Sequence, residues 1–471
     1  MRKIFVYILL LTGFTSCEQW FDVSPRTEIK EGDLFKDENG YFDALVGVYS
    51  TMAKQELYGC DLTMGFMDVL VQNYTMNNSA HPLYYVAQFN YKDSRTRPIV
   101  DKFWNRMYEG VVNVNNLLYH LEKADKSMFS EDNYELIKGE ALALRAYLHF
   151  DILRLFGPSF EMDRNRRCMP YVKTVSNKNT PYATPEQIVQ LCVSDLEEAL
   201  GYLATDPIQD KIQDEGNIYR MNRKTRLNLY AVRGELARVY MYGENPVKAL
   251  EYARLLVDND TLPLTTNMQG VKNDRIFSEE LLFGLFVDNL SSWADGYFNY
   301  SSSGYDLKQM DYYLSEFYEV NAGLGKDIRY SEQFNVANYD RKLNKYLASS
   351  SDSYNARYRV PMLRLSEIYY IAAEATTNLQ EAGRWLNMMR KARGLAEKAF
   401  TGFPEIQTYL TAEYRREFYG EGQLFYRYKW LNSETIAEGY LVKNIADRME
   451  AVYLLPLPDQ ESEFGDVAGQ N

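Results

Sequence analysis

The residues able to do chemistry fall into two sets, carboxylates and aromatic rings. Glu413 and Glu417 stand one helical turn apart, flanked by Arg415 and Arg416. That spacing permits general acid/base work, and a glycosidase needs only two carboxylates. The same residues read equally as an ion network between helices, the commoner use of such pairs. The three histidines, His81, His120 and His149, form no HExxH zinc motif, and no GxSxG elbow or EF-hand loop is present. Gly325-Lys326 lacks the glycine five positions earlier that a phosphate-binding loop requires. Cys17, Cys60, Cys168 and Cys192 show no ligand-like spacing. The sequence therefore predicts no metal site and no cofactor, and it supports no disulfide.

The rings are more telling. The chain holds 40 Tyr against 23 Phe and 5 Trp, and tyrosine supplies a flat apolar face with a polar edge. Many of these tyrosines are expected in helix seams. The stretch Leu290–Tyr313, however, carries Trp293, Tyr297, Phe298, Tyr300, Tyr305, Tyr312 and Tyr313 among Ser, Gly and Asp. It shows no helical period, and its composition predicts a loop. Rings on a loop cannot all be buried, which makes Trp293, Tyr297, Tyr300 and Tyr305 candidate ligand platforms. A second irregular stretch, Gln72–Tyr91, is rich in Asn and Tyr.

These loops need a scaffold, and periodicity supplies it. Phe103, Met107, Val111, Val114, Leu118 and Leu121 form one helical stripe; Ile137 to Leu155 form another, stopped by Gly157-Pro158. Thr184-Pro185-Glu186 opens a third helix through Leu203, and a further helix is expected over Gly40–Lys54. Arg226–Val257 reads as a helix pair turning at Gly243–Pro246. Arg359–Gly394 reads as a second pair turning at Thr376–Gln380, with Pro361 in its first turn and Gly394 as a left-handed stop. The predicted fold class is mainly all-α: a tetratricopeptide-like scaffold of helix pairs with long irregular insertions and no regular period.

Composition narrows the partners. A net charge of −13 and a pI near 5.0 exclude nucleic acid, whose phosphates nothing would offset. Residues 1–16 pair Arg2 and Lys3 with a short apolar run and end before Cys17, the layout of a lipoprotein signal whose cysteine becomes the acylated first residue. Phe14 departs from the aliphatic residue usual there. Dual acylation suffices for stable membrane anchoring, and no later segment approaches about 18 consecutive apolar residues.

The wording of several blocks resembles the SusD/RagB family of Bacteroidetes outer-membrane lipoproteins. The residues are Val360, Pro361, Arg364, Glu367, Tyr369, Ala373, Glu374 and Ala375, followed by Asn387, Arg390, Arg393 and Gly394. The opening Phe21-Asp22-Val23-Ser24-Pro25, the run Leu144-Arg145-Ala146-Tyr147, and the blocks 413–430 and 453–461 look similar too; Gln423 and Arg427 replace the usual Arg and Asp. The resemblance implies a signal over 1–16 and one SusD-like domain over 17–471, made of a helical part 17–260 and a loop-rich C-terminal part 261–471. It implies no enzyme but a surface protein, outer-membrane-anchored through Cys17 and facing the exterior. Its partner would be a TonB-dependent SusC-like transporter and its ligand an oligosaccharide, or a peptide in the RagB manner. Relatives place ligand contacts in both ring-rich loops, which adds Asn73, Tyr74, Asn78, Tyr84 and Tyr85 as candidates. An all-helical glycoside hydrolase or lyase is the enzymatic alternative.

Overall fold

A computed structural model describes residues 34–464, apart from 177, 210–216, 266–269, 300–304, 324–325 and 439–440. The signal, Cys17 and Tyr300 lie outside the described residues. Six longer helices come first among the described residues: α1 (Glu38–Met52), α2 (Arg97–Lys123), α3 (Asn133–Phe156), α4 (Pro185–Tyr202), α5 (Leu229–Tyr242) and α6 (Pro246–Val257). An insertion follows, with β1 (Leu281–Phe286), α7 (Leu290–Phe298), β2 (Gln309–Met310), α8 (Asp311–Phe317), β3 (Phe334–Ala337) and β4 (Asp340–Leu343). The chain then runs through β5 (Arg359–Arg364), α9 (Leu365–Ala375), α10 (Leu379–Ala392), α11 (Phe403–Glu417) and α12 (Gln423–Trp430).

Each helix from α1 to α6 packs on its successor; α6 then meets α9, and α9 meets α10. Stacking therefore follows chain order except for one jump over the insertion, as expected of a helix-pair scaffold. Local chemistry sets the boundaries. The Thr184 hydroxyl accepts from the Gln187 N–H while the Gln187 side chain accepts from the Thr184 N–H, a capping box at the start of α4. Gly394 takes φ +81° just past α10, as expected of a helix stop. The stripe predicted for α3 is buried, but so are its other faces. Glu140, Arg145 and Asp151 are satisfied inside the core by Arg223, Asp195 and Arg154 respectively. His149 is neutral there: its Nδ1–H donates to the Arg145 carbonyl and its Nε2 accepts from the Val172 N–H. Burial drives its pKa down to about 3.

Two expectations are corrected. Pro361 opens no helix; Arg359–Arg364 is a wholly buried strand antiparallel to β1, with Pro361 opposite Gly284. Proline is tolerated because this is a two-stranded sheet in which β5 has one neighbour. The stretch from Leu290 is not all loop either, since α7 spans Leu290–Phe298. Leu290, Ala294 and Phe298, four residues apart, are its buried face. Ser291, Ser292 and Gly296 occupy the helix's other positions, while Ser301, Ser302, Ser303 and Gly304 lie outside the described residues.

The C-terminal blocks act as a clamp. Glu413 and Glu417 are buried, and Glu417 accepts from Arg329, Arg364 and Arg393. Burial pushes the Glu413 carboxyl up, but Arg329 and Arg416 outweigh it and hold it at about 2. Arg415 joins neither carboxylate and donates to the carbonyls of Val71 and Ala437. Arg427, one of the departures from the family wording, pairs with Glu374 on α9. Gln423, the other, accepts from Arg154.

Candidate functional site

The two ring-rich loops, more than 200 residues apart in sequence, meet in space. The Thr75 N–H donates to the Lys308 carbonyl at 2.8 Å, and the Thr75 hydroxyl donates to Gln309 Oε1 at 2.7 Å. His81 joins the same seam. Its Nε2 lies 2.9 Å from the Tyr305 carbonyl, which can only accept, so Nε2 carries the proton and Nδ1 accepts from the Leu83 N–H. Burial lowers the His81 pKa, keeping the ring neutral. The His81 and Tyr305 rings meet edge to face at 5.7 Å.

A three-stranded sheet extends this surface, β4 lying between β2 and β3. The β3–β4 hairpin turns through Asn338 and Tyr339, with Asn338 at φ +59°, a left-handed corner that Asn tolerates. The Tyr339 carbonyl accepts from the Asp311 N–H at 2.9 Å, fixing the turn against the first turn of α8. Tyr339 is 85% exposed and Tyr312 is 59% exposed, with Met310 and Val336 also at the surface. Ion pairs Lys308–Asp340 and Lys342–Asp306 brace the sheet. Arg341 pairs with Asp311 and lies 3.9 Å over the Tyr330 ring, whose hydroxyl also donates to Asp311.

The predicted residues divide on this geometry. Asn73 and Tyr74 are 0% and 3% exposed and have no face to offer a ligand. The Asn73 side-chain amide donates to Asp68 at 2.9 Å and the Asn73 backbone carbonyl accepts from the Tyr419 hydroxyl, while the Tyr74 hydroxyl donates to the Met64 carbonyl. Asp68 also accepts from the Gly420 and Gly422 N–H groups, so this corner ties the first loop to the C-terminal clamp. Burial lifts the Asp68 carboxyl to about 6, its hydrogen bonds offsetting only part of that cost.

Trp293 and Tyr297 are half-buried against the core on α7. A β-carbon on Gly59 would stand 2.7 Å from Trp293 Cζ3, so the indole needs glycine beneath it. The Tyr297 hydroxyl donates to Asp61 at 2.9 Å; burial raises that carboxyl to about 6 despite the bond. Asn78 is exposed, with its side chain accepting from the Ala80 N–H. Tyr84 and Tyr85 are half-buried, edge to face at 5.3 Å, with Arg95 4.2 Å over Tyr85. Of the predicted residues Asn78 is exposed and Trp293, Tyr297, Tyr84, Tyr85 and Tyr305 keep part of their surface, while Tyr312 and Tyr339 stand exposed on α8 and the β3–β4 hairpin. Tyr339 escaped sequence reading because a lone tyrosine in a polar turn carries no periodic signal.

The arrangement can stack flat ligand faces and bond hydroxyl groups. Glu413 and Glu417, the acid pair whose spacing permits acid/base work, are saturated by guanidinium groups inside the core. Among the described residues no group of His, Cys, Asp and Glu is placed to hold a metal ion.

Two family models match this chain. One, described as starch-binding associating with outer membrane, covers residues 20–241, and the SusD family model covers 286–462. A SusD-like protein of Formosa agariphila is 21% identical over 291 residues, covering 60% of this chain and 51% of the relative. A SusD-like protein of Bacteroides ovatus is 24% identical over 206 residues, covering 41% and 34%. The matches thus span about half or less of these curated relatives. Among solved structures, a SusD superfamily protein from Bacteroides thetaiotaomicron superposes with a TM-score of 0.70 at 20% identity, covering 92% of this chain and 98% of that one. A SusD-like carbohydrate binding protein from Bacteroides vulgatus gives 0.70 at 18% identity, covering 91% and 96%. Likeness at this identity establishes a shared fold.

Proposed function

Since the chain belongs to the SusD/RagB family, we propose that it is a cell-surface lipoprotein that captures oligosaccharide for a TonB-dependent SusC-like transporter. The observation that carries this reading is the convergence of the two ring-rich loops beside a hairpin and an adjoining helix that hold Tyr339 and Tyr312 out to solvent. Sugar rings present C–H faces that stack on aromatics, and hydroxyls that take up amides and charged groups such as Asn78. Exposed apolar side chains grouped on one surface are a mark of binding sites. The signal layout before Cys17 supports lipid attachment to the outer membrane, facing the exterior. No helix among the described residues is long and apolar enough to cross a membrane, consistent with that anchor. The transporter and the direction of transfer rest on family membership.

Calorimetric titration of a panel of oligosaccharides and peptides tests the reading. A glycan binds the wild type, and Tyr339→Ala with Tyr312→Ala weakens it about tenfold or more, the scale of two lost stacking contacts. An unchanged dissociation constant in the double variant removes this surface from the site. Binding of peptides and no glycan replaces the ligand class. Copurification of a TonB-dependent barrel with the tagged protein tests the partner.

A further inference from the structure

A cavity of about 410 Å³ lies among residues preceding α5, the segment leading into β1, and the start of β5. Its size suits a small ligand, and none of its described lining residues belongs to the ring-bearing loops. Arg359 lines it and is 5% exposed, yet its guanidinium makes no hydrogen bond or ion pair with any described residue. The other buried arginines among the described residues all donate at least one side-chain hydrogen bond. Asp274 and Tyr354 favour the Arg359 charge only from a distance, and burial depresses its pKa. None of its nitrogens is among the described polar atoms sealed from solvent without a partner, so its N–H donors open on the cavity and not on a protein acceptor.

The surroundings add a second cation. Lys224 lines the same cavity, and among the described residues its ammonium donates only to the Glu279 carbonyl, at 2.6 Å. Burial, then repulsion from Arg359, lowers the Lys224 pKa, so the two charges act on one space. The Tyr230 hydroxyl and the Asn355 amide line the cavity without hydrogen bonds to described residues, while Leu262 and Pro263 add apolar wall. The one carboxylate among the described lining residues, Glu279, is exposed.

We infer that this cavity binds a sugar-sized organic anion, its carboxylate or sulfate group held by Arg359 and Lys224. A planar guanidinium takes either group through paired N–H donors, and Lys224 adds a point charge. The carbon skeleton then lies against Tyr230 and Leu262. The inference stands apart from the loop surface, and its test leaves Tyr312 and Tyr339 untouched.

The probes are sodium glucuronate and sodium sulfate, each against sodium chloride at matched ionic strength, with glucose as the neutral control. The purified protein is followed by thermal melting and calorimetry. At least one of the two anions raises the melting temperature above the chloride value, and glucose does not. A response to glucuronate alone identifies a carboxylate ligand, a response to sulfate alone a sulfate ester, and both an oxyanion of either kind. Arg359→Gln weakens the dissociation constant at least about tenfold, as expected for a lost charge-assisted bond. Asn355→Asp, which changes an exposed residue of the lining, weakens binding; Glu279→Gln strengthens it. Neither anion moving the wild type overturns the proposal, as does an Arg359→Gln variant that keeps the response. If Arg359→Gln does not fold, the two exposed variants decide, and unchanged affinity in both overturns it. Loss of oligosaccharide binding in the Tyr312/Tyr339 variant leaves all these readouts in place, so the two readings fail separately.

Discussion

Replacing Glu417 by glutamine separates a structural from a catalytic reading of the C-terminal acid pair. Glu417 is fully buried and belongs to a connected set of buried charges. The cations are Arg329, Lys345, Arg364, Arg393 and Arg416; the anions are Glu280, Asp327, Glu413, Glu417 and Glu421. Five charges of each sign leave this set neutral, with Glu319 adding a solvent-exposed contact to Arg416 at its edge. Glu417→Gln keeps the shape and removes one negative charge from three guanidinium partners. Breaking a buried pair by removing one partner costs about 3–5 kcal/mol. A chain of this length unfolds with an entropy of about 1 kcal/mol/K, so the melting temperature falls by about 3–5 °C.

The assay is thermal and urea denaturation followed by circular dichroism, with Arg393→Met alone and in combination. The double variant restores a four-against-four balance, so it is less destabilised than the sum of the singles by about 1–3 kcal/mol. A Glu417→Gln melting temperature within about 1 °C of wild type, with additive singles, refutes the argument. A variant of unchanged stability that lost turnover on a glycan would make Glu417 a catalytic group instead.

Four further outcomes follow from the same geometry. Trp293→Ala costs stability, about 2 kcal/mol for a half-buried indole seated on Gly59, while glycan affinity changes less than in Tyr339→Ala; the reverse order in melting and titration restores Trp293 as a platform. The Glu413 carboxyl, held at about 2 against 4.5 when free, contributes stability that is present above pH 4.5 and lost as pH falls toward 2. The Asp61 carboxyl, raised from 3.8 to about 6, acts in the opposite sense: its contribution falls as pH rises from 3.8 to 6, so Asp61→Asn flattens that part of the melting profile, and equal slopes refute it. Cys60, Cys168 and Cys192 are buried free thiols whose pKa values burial pushes up; they stay inert to a thiol reagent in the native protein and react after denaturation.

The scaffold was legible because its signals are local and repeat. The stripe Phe103–Leu121, the Thr184-Pro185 start and the Gly394 stop each lie within a few residues of the element they specify. Pro361 was misread because the partner that makes its segment a strand, β1, lies about 80 residues earlier. In α7 the four-residue spacing of Leu290, Ala294 and Phe298 was available, but serine and glycine outweighed it. The ion set was legible in part, through the spacing of Glu413 and Glu417. Arg329 and Glu280, which complete it, lie in segments with no helical pattern of their own.

Ring content located both loops, yet burial decides which rings meet solvent, and burial depends on tertiary partners. Asn73 and Tyr74 belong to a loop that the sequence marks as irregular and polar. They are inside because Asp68 gathers Asn73 and the Gly420 and Gly422 N–H groups, and Tyr419 closes over the Asn73 carbonyl. Those bonds join the first loop to the block that carries Glu417. The fixed corner sets Thr75 against Lys308, and the β2–β4–β3 sheet carries the surface on to Tyr339. Buried polar residues near each loop's root are therefore what hold the exposed rings in register, so substitutions at Asn73 or Asp68 disturb the ligand surface by releasing it, not by removing a contact.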